Sequence, residues 1–257
     1  MKVVILAGGL GTRLAEETEV RPKPMVEIGG KPIIWHIMKH LVHYGLREFV
    51  VALGYRGELL KRFFVDHFAL QGSLFVDGEA GTISRRSGPR EDWKVHLVDT
   101  GASSNTGGRL RRLRDVLGHE PFMVTYGDGV CDVDPTKVIA HHKKLGTTAT
   151  MTAVRPPARY GALTFDGPLV RFNEKPRTGE GWINGGYIVM NAGALELIRD
   201  DETSLEAELL ETLAEQRKLG AYQHEGFWQC MDTLRDKRLL ESLWEQNHAP
   251  WKVWSER

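Results

Sequence analysis

The sequence begins with KVVILA at residues 2–7, which runs directly into GGLGTRL at residues 8–14. A short apolar run of this kind is typical of a parallel strand that is buried on both faces. Glycines after such a strand let the main chain turn sharply and bring its N–H groups close to an anion. The two segments therefore predict a parallel sheet with a phosphate-binding loop at the carboxyl end of its first strand. A turn that only requires positive φ is the alternative for the same glycines.

The rest of the chain alternates between strand-like and helix-like patterns. Helices are predicted over residues 32–44, 58–68, 135–145, 205–216 and 233–245. Strands are predicted over residues 49–53, 95–99, 121–126, 148–154, 169–172 and 183–190, with another near Leu163. Such an alternation implies a mostly parallel sheet covered by helices. We therefore expect an α/β fold with a Rossmann-like, mixed, mostly parallel sheet flanked by helices.

Residues 72–89 interrupt the alternation, because they are rich in Gly, Ser and Arg. A loop or a hairpin excursion is predicted near residues 72–92. The sequence contains no repeat and no linker long enough to separate independent units. A single domain over residues 1–257 is therefore predicted.

The overall charge is balanced, since 34 lysines and arginines meet 34 aspartates and glutamates. A broad electrostatic footprint for nucleic acid or a membrane surface is therefore not expected, and anions must be bound by local groups. No apolar run approaches the roughly 20 residues that cross a bilayer, and no signal segment is expected before the first strand. The two cysteines, Cys131 and Cys230, lie far apart, which favours a reducing cytoplasm over a disulfide scaffold or a structural zinc site.

Two better-known phosphate loops can be compared with residues 8–14. A P-loop needs Gly-Lys-Ser/Thr, whereas Gly11 is followed here by Thr12 and Arg13. A dinucleotide fingerprint needs a third glycine and an acid at the end of the second strand. Leu14 occupies the third glycine position, and the second strand ends in LGY at residues 53–55. A P-loop enzyme and an NAD-dependent enzyme are therefore both disfavoured.

Two cations follow the glycines and favour a triphosphate ligand. Arg13 ends the loop, and Lys23 lies in the segment RPKP at residues 21–24. The flanking prolines limit the directions in which Lys23 can point. An arginine and a lysine at the same strand end would stabilise a leaving pyrophosphate, which gains charge in the transition state. Solvated surface cations are the alternative for both residues.

A series of motifs along the chain carries a family resemblance. They are LAGGLGTRL at residues 6–14, KPMV at 23–26, GDG at 127–129, EKP at 174–176, NGG at 184–186 and WQCMDT at 228–233. In this order and approximate spacing they resemble the nucleotide-sugar pyrophosphorylases, over nearly the whole chain. The resemblance implies a fold of the nucleotide-diphospho-sugar transferase type and an enzyme that joins a sugar 1-phosphate to a nucleoside triphosphate.

A second set of segments is most similar to one branch of that family, which transfers a cytidylyl group to glucose 1-phosphate. These are VDTG at residues 98–101, TGGR at 106–109, TYGDG at 125–129, INGG at 183–186 and APWK at 249–252. The resemblance implies CTP and a sugar 1-phosphate as substrates, and a product for deoxysugar or cell-surface polysaccharide synthesis. The alternatives are thymidylyl or uridylyl transfer, another phosphate ester as acceptor, and a homologue that binds nucleotide sugars without catalysis.

The resemblance also assigns the nucleotide site and the catalytic groups. Arg13, Lys23 and Asp128 are the implied catalytic residues. The implied nucleotide-binding residues are Leu6, Ala7, Gly8, Gly9, Gly11, Thr12, Arg13, Lys23, Thr106, Gly107, Arg109 and Gly127. Arg111 and Arg112, which follow in the run RLRR at residues 109–112, are interpreted as part of a solvated helix face.

Two aspartates are candidates for a magnesium site. Mg²⁺ prefers one or two carboxylates together with phosphate oxygens and water. Asp128 follows a predicted strand, and Asp232 directly precedes the last predicted helix. A turn aspartate and a helix N-cap are the respective alternatives. The family resemblance favours Mg²⁺ bound by both.

The sugar phosphate is assigned to a third group of residues. An adjacent acid and base at a strand end suit a phosphosugar, because the ring hydroxyls need acceptors and the phosphate needs a cation. By resemblance, Lys175 binds the phosphate and Glu174 accepts hydrogen bonds from the sugar, with Gly161 and Asn184 nearby. An exposed ion pair is the alternative for Glu174 and Lys175.

Neither the histidines nor the late tryptophans are interpreted as a metal or cofactor site. His36 and His40 stand at i, i+4, but no acidic residue completes an H-E-x-x-H motif, so a histidine metal site is not expected. The late tryptophans are predicted to pack in the core or to form subunit contacts, and a homo-oligomer is expected. They are Trp228, Trp244, Trp251 and Trp254.

Overall fold

The computed structural model describes residues 1–9, 14, 21–87, 91–157, 162–166, 169–173 and 181–255. For residues 85–87, 162–166 and 169–173 the description covers the main chain. No helix in these ranges is both long and apolar enough to cross a membrane.

The secondary structure begins with a strand and ends with a helix before the C-terminal segment. The strands are β1 Lys2–Ala7, β2 Glu27–Ile28, β3 Lys31–Pro32, β4 Glu48–Leu53, β5 Ser73–Asp77, β6 Thr82–Ser87, β7 Lys94–Asp99, β8 Phe122–Tyr126, β9 Gly129–Cys131, β10 Ala149–Val154, β11 Ala162–Asp166, β12 Leu169–Asn173, β13 Ile183–Asn184, β14 Ile188–Met190, β15 Leu219–His224 and β16 Trp228–Cys230. The α-helices are α1 Ile33–His43, α2 Gly57–Ala69, α3 Thr106–Arg112, α4 Arg114–Leu117, α5 Pro135–Leu145, α6 Glu211–Glu215 and α7 Leu234–Glu245. Lys23–Met25 and Ala192–Leu197 are 3₁₀ turns, and Leu205–Leu210 is a π-helical turn.

A central eight-stranded sheet organises the fold, in the order β13-β10-β14-β8-β1-β4-β7, with β15 also paired to β10. Strand β1 pairs in parallel with both β4 and β8, and β7 continues the parallel part. Strand β14 joins β8 antiparallel. The sheet is therefore mixed and mostly parallel, which confirms the predicted fold class. Because β1, β4 and β8 run the same way, the glycine-containing segments that follow them meet at one edge.

The predicted strand over residues 183–190 is interrupted. Its two parts, β13 and β14, both pair antiparallel with β10. Between them Gly186 has φ 84° and Tyr187 has φ 44°, a left-handed conformation that a continuous strand cannot accommodate. The break leaves Asn184 beside the end of β8, where its amide donates a hydrogen bond to the Tyr126 hydroxyl.

Apolar side chains fill both faces of the sheet. On one face, Val3 and Ile5 of β1 pack with residues of α1, α2 and α7. On the other face, Val4 packs with residues of α3, α4 and the π-helical turn. This alternation along β1 follows from the twofold periodicity of a strand and explains why its sequence is apolar throughout.

Residues 73–87 form a two-stranded antiparallel hairpin, in which β5 pairs with β6. The predicted helix over residues 205–216 is divided into a π-helical turn and α6. Ser204 caps the π-helical turn by accepting the N–H of Ala207.

Three of the late tryptophans, Trp244, Trp251 and Trp254, pack around His36 of α1, whereas the Trp228 indole N–H donates to the Gly185 carbonyl. Trp251 is fully buried and Trp254 nearly so. His36 lies 4.6 Å from Trp244 and 6.2 Å from Trp251, measured between ring centroids. Its Nε2 lies 2.8 Å from the Ile28 carbonyl, and the Trp251 indole N–H donates to its Nδ1. His40 is likewise held by the carbonyls of Val133 and Trp251, so both histidines are packing groups.

Acid should destabilise the protein through His36. Burial lowers the pKa of His36 to about 4, from an ordinary value of 6.5. The folded state keeps the ring neutral while the unfolded chain binds a proton below about pH 6.5, so stability falls as the pH is lowered from 6.5 towards 4. Between pH 7 and pH 4.5 this one group should cost about 2–3 kcal/mol of the free energy of unfolding.

Urea unfolding of the wild type, His36→Gln and His96→Gln at the two pH values measures this effect. The ring of His96 is exposed beside Glu48, so its variant should keep the wild-type loss. Between the two pH values, His36→Gln should lose less stability than the wild type. His40 contributes to the loss that remains, because burial lowers the pKa of His40 as well. Equal losses in all three proteins would contradict the assignment to His36.

Candidate active site

A cleft of about 340 Å³ opens where β1 and β8 end. It is lined by Leu6, Ala7, Gly8, Gly9, Lys23, Pro24, Ser104, Asn105, Thr106, Arg109, Tyr126, Gly127 and Asp128. Most of the predicted nucleotide-binding residues that the structure describes lie in this cleft. The register of the parallel strands produces this convergence, since Leu6 of β1 pairs with Tyr126 of β8.

Lys23 enters the cleft from the 3₁₀ turn between Pro22 and Met25. The side chain is buried, and its ammonium group donates to Asp128 Oδ2 at 2.7 Å and to Asp232 Oδ1. The turn approaches β8 closely because residue 127 is glycine: a Cβ there would lie 2.8 Å from Pro24 Cγ. Burial opposes the charge of Lys23, but the two carboxylates outweigh it, so the pKa of Lys23 is raised.

The two aspartates are brought together by pairing between β9 and β16. Asp128 directly precedes β9 and Asp232 follows β16, and Gly129 is the register partner of Cys230. The Met231 N–H also donates to the Asp128 carbonyl at 2.8 Å. Two residues far apart in sequence thereby present their carboxylates to one ammonium group.

Asp232 is not the cap of the last helix. Thr233 caps α7, in a capping box with Asp236. The buried Asp236 carboxylate also accepts the N–H of Asp232 at 3.1 Å, which fixes the main chain at that residue. The N-cap alternative for Asp232 is therefore excluded, and its side chain is directed to Lys23.

These two carboxylates fit a divalent cation. Among the described groups, one ammonium group lies between the two carboxylates, so these three groups together carry one net negative charge, which favours a further cation. Among the described residues no group of three or more His, Cys, Asp or Glu side chains could hold a metal. The two carboxylates among the described residues are compatible with a divalent cation that takes its other ligands from phosphate and water.

Arg109 contributes to the cleft by holding its loops together. The guanidinium is buried and donates to the carbonyls of Gly8 at 3.1 Å, Leu53 at 3.1 Å and Gly101 at 2.8 Å. It also donates to the Thr100 hydroxyl at 2.8 Å. Burial lowers the pKa of Arg109, although an arginine remains charged in a protein. The side chain thus ties the glycine loop to the ends of β4 and β7.

A hydrogen-bonded network joins the two halves of the cleft through Glu206, which belongs to the π-helical turn. Its Oε1 accepts the Tyr126 hydroxyl at 2.6 Å, and its Oε2 accepts the Thr106 hydroxyl at 2.7 Å. Tyr126 in turn accepts the Asn184 amide at 2.9 Å. Burial, followed by the negative charge of Glu206, raises the pKa of Tyr126 well above its ordinary value.

Gly107 lies outside the lining of the cleft. A Cβ at this position would be 2.6 Å from the Thr203 carbonyl oxygen, so the missing side chain allows α3 to pack against residues 203–205. The predicted contact of Gly107 with the nucleotide stays a prediction.

Six of the predicted site residues lie outside the described residues. They are Gly11, Thr12, Arg13, Gly161, Glu174 and Lys175. Of the remaining predicted residues, Asn184 joins the site through Tyr126, and Asp232 through Lys23.

Sequence reasoning missed Glu206, Tyr126, Ser104 and Asn105. Tyr126 stands next to the predicted Gly127-Asp128 pair, and this position could have identified it as a site residue. Glu206 had no such signal, because the sequence around it reads only as an amphipathic helix.

Comparisons with known proteins extend over the segments that build the cleft. The nucleotidyl transferase family matches residues 2–244. The glucose-1-phosphate cytidylyltransferase of Salmonella typhi is 51% identical, over 99% of this chain and 100% of that protein. A probable glucose-1-phosphate cytidylyltransferase of Bacillus subtilis is 40% identical with the same coverage. The crystal structure of HddC from Yersinia pseudotuberculosis complexed with GMP-PN is 25% identical, with a TM-score of 0.69 over 95% of this chain and 99% of that chain.

Proposed function

Because the chain belongs to the nucleotidyl transferase family, we propose that it is a glucose-1-phosphate cytidylyltransferase, which converts CTP and α-D-glucose 1-phosphate to CDP-glucose and pyrophosphate. Identity of 51% over the full chain to an enzyme of that name supports the choice within the family. The observation that carries the catalytic part is the meeting of Lys23 with Asp128 and Asp232 beside the Gly8-Gly9 loop.

The reaction needs no nucleophile from the protein. The second pKa of a phosphate monoester is near 6, so at neutral pH glucose 1-phosphate is mostly a dianion and can attack without a general base. Its phosphate oxygen forms a bond to the α-phosphorus of CTP, and the bond from that phosphorus to the bridging oxygen breaks. Pyrophosphate leaves with the electron pair, in line with the attack. The enzyme has to bring two polyanions together and stabilise the charge that develops on pyrophosphate.

We assign Lys23 to the charge that develops on pyrophosphate. Its position is fixed by burial and by two carboxylates, so little reorganisation is required during the reaction. Arg13 is assigned to the triphosphate and Lys175 to the sugar phosphate, with Glu174, Gly161 and Asn184 at the sugar. Asp128 and Asp232 would hold Mg²⁺, which when bound neutralises phosphate charge and orients the triphosphate.

CTP is assigned to the cleft on the side of residues 104–109. Asn105 and Thr106 already use their side chains on Glu202 and Glu206. Ser104 also lines the cleft and is nearly buried, and its hydroxyl makes no hydrogen bond to another described residue. Main-chain groups near Gly9 and the Ser104 hydroxyl are therefore the groups assigned to the base.

The ratio of kcat/KM for CTP over UTP and dTTP, with glucose 1-phosphate as co-substrate, tests the nucleotide. Cytosine offers an amine donor and an N3 acceptor where uracil and thymine offer a carbonyl and an N–H, so a site built for cytosine leaves buried groups unpaired with the others. Such mismatches cost about 1–3 kcal/mol each, and we expect a ratio of roughly 100 or more. A ratio near one, measured by pyrophosphate release, would overturn the cytidylyl assignment and leave the nucleotidyltransferase class intact.

Glu206 is proposed as a positioning residue for both substrates, and Glu206→Gln tests this. Glutamine has one acceptor oxygen, so one of the Tyr126 and Thr106 hydroxyls would lose its partner. We expect kcat/KM to fall about 10–100-fold, with KM raised for CTP and for glucose 1-phosphate. Glu208→Gln is the matched control, since Glu208 lies in the same turn but accepts from the Ser204 N–H and Arg199. Equal kinetics for the two variants would remove Glu206 from the site.

The expected compartment and assembly are also proposals. The two thiols, Cys131 and Cys230, are both free, which supports a reducing cytoplasm. A homo-oligomer is proposed as well.

A further inference from the structure

Trp228 connects the strand that leads to Asp232 with the segment that carries Asn184. It is the first residue of β16, and its indole N–H donates to the Gly185 carbonyl at 2.8 Å. Gly185 lies between β13 and β14, directly after Asn184, which is assigned to the sugar. One hydrogen bond thus joins the strand before a proposed metal ligand to the segment assigned to glucose 1-phosphate.

One face of β16 carries both of these connections. Alternate residues of a strand point to the same side, so Trp228 and Cys230 share a face and Gln229 lies on the other. The Cys230 thiol donates to Asp232 Oδ2 at 3.3 Å, whereas the Gln229 amide donates to the Asp236 carboxylate at 3.1 Å. Trp228 and Cys230 are separated by about 7 Å along the strand. The strand therefore sets the distance between the Gly185 contact and the Asp232 carboxylate.

The main chain at Gly185 is held from two sides. Its N–H donates to the Thr152 carbonyl of β10 at 2.9 Å, and its carbonyl accepts the Trp228 indole. The segment also lies close against β10, because a Cβ at residue 185 would be 2.5 Å from Val154 Cγ1. Removing the indole N–H would release the side that faces β16 and leave the side that faces β10 in place.

We propose that Trp228 is a positioning residue for glucose 1-phosphate, acting through the main chain of Gly185. It fixes the segment at residues 183–186 relative to Asp232, and the inference rests on the proposed function. The attacking phosphate oxygen has to lie about 3–3.5 Å from the α-phosphorus of the nucleotide, so the placement of the sugar phosphate matters on this scale. CTP is assigned to the other side of the cleft, at residues 104–109, and does not depend on this hydrogen bond.

Steady-state kinetics of Trp228→Phe test the proposal. Phenylalanine keeps an apolar ring at this position and removes the indole N–H. The KM for glucose 1-phosphate should rise about tenfold, while the KM for CTP stays within about twofold and kcat within about threefold of wild type. The half-saturating Mg²⁺ concentration should not change, because Lys23, Asp128 and Asp232 keep their contacts with one another.

Trp251→Phe is the matched control. Trp251 is fully buried, and its indole N–H donates to His36 Nδ1, so this variant loses the same donor in the packing around α1. It should lower the midpoint of urea unfolding and leave both KM values as in wild type, which separates positioning from a general loss of stability. An unchanged KM for glucose 1-phosphate in Trp228→Phe, or equal rises in its two KM values, would overturn the proposal.

A steric variant tests the same segment with Trp228 in place. In Gly185→Ala the new Cβ would collide with both γ-carbons of Val154, so residue 185 has to move. The KM for glucose 1-phosphate should again rise about tenfold, and combination with Val154→Ala, which removes those carbons, should restore most of the wild-type value. A combined variant that keeps the raised KM would show that the position of residue 185 does not set the KM.

The wild type distinguishes failure of this inference from failure of the proposed function. If it makes a nucleotide sugar only from another nucleotide or another sugar phosphate, the cytidylyltransferase assignment is wrong, and the two KM values are compared with that pair of substrates. If it is active and Trp228→Phe has wild-type KM values, the inference alone fails. If the wild type forms no nucleotide sugar from any pair, the proposed function and the inference are both overturned.

Discussion

Replacing Asp128 by Asn should lower kcat by roughly 10²–10⁴-fold while leaving the free energy of unfolding nearly unchanged. The amide loses the negative charge that is proposed to bind a divalent cation but keeps the shape of the side chain. Lys23 retains its bond to Asp232, so the buried ammonium keeps a counter-charge. The Asp128 side chain is 31% exposed, which limits the structural cost of the change.

The readout that separates metal binding from general damage is the dependence of CTP binding on Mg²⁺, followed by calorimetry. In Asp128→Asn the half-saturating Mg²⁺ concentration should rise about tenfold or more. Asp132→Asn is the control, because Asp132 lies nearby but pairs with His224, and its Mg²⁺ dependence should match wild type. Wild-type turnover of Asp128→Asn at low Mg²⁺ would remove Asp128 from the metal site.

Asp232→Asn should reduce turnover to a similar extent but also destabilise the fold. Its side chain is only 10% exposed, and it is one of two carboxylates that balance Lys23. Loss of a buried charge partner leaves the ammonium less well compensated. A comparison of Asp128→Asn with Asp232→Asn, by turnover and by the free energy of unfolding, therefore separates the loss of catalysis from the loss of stability.

Replacing Arg109 by Met should have the largest effect on stability of any substitution considered for this site. The carbonyls of Gly8, Leu53 and Gly101 would each lose a charged donor, although Gly8 keeps the Tyr55 N–H and Leu53 keeps the N–H and hydroxyl of Thr100. We expect the free energy of unfolding to fall by about 2–4 kcal/mol. The affinity for CTP should fall more than about 100-fold, because the Gly8 loop loses its anchor.

Arg111→Met is the matched control on the same helix. Arg111 is partly exposed and pairs weakly with Asp201, so its loss should change the free energy of unfolding by about 0.5 kcal/mol or less. Urea unfolding of both variants gives the comparison. If Arg109→Met unfolds like wild type and only its CTP affinity falls, Arg109 acts by touching the nucleotide and not by holding the loops.

The sequence alone predicted the elements whose signals are local. The apolar run over residues 2–7, the periodic helices and the family motifs gave the α/β class and placed Lys23, Asp128 and Asp232 in one site. The division of the strand over residues 183–190 was missed, although its two glycines were visible. The location of that break depends on the positive φ of Tyr187, which no local preference of tyrosine predicts.

The tertiary structure alone decided which groups meet and what each of them contacts. Lys23 lies 105 residues from Asp128 and 209 from Asp232, and Arg109 lies 101 residues from Gly8. Residue spacing reports periodicity and turn chemistry over a few residues, whereas these contacts depend on strand order and register across the sheet. For that reason sequence analysis could name Arg109 as a nucleotide-binding residue but could not show that its guanidinium also donates to the carbonyls of Gly8, Leu53 and Gly101. For the same reason Glu206, which reads locally as part of an amphipathic helix, joins the two halves of the cleft.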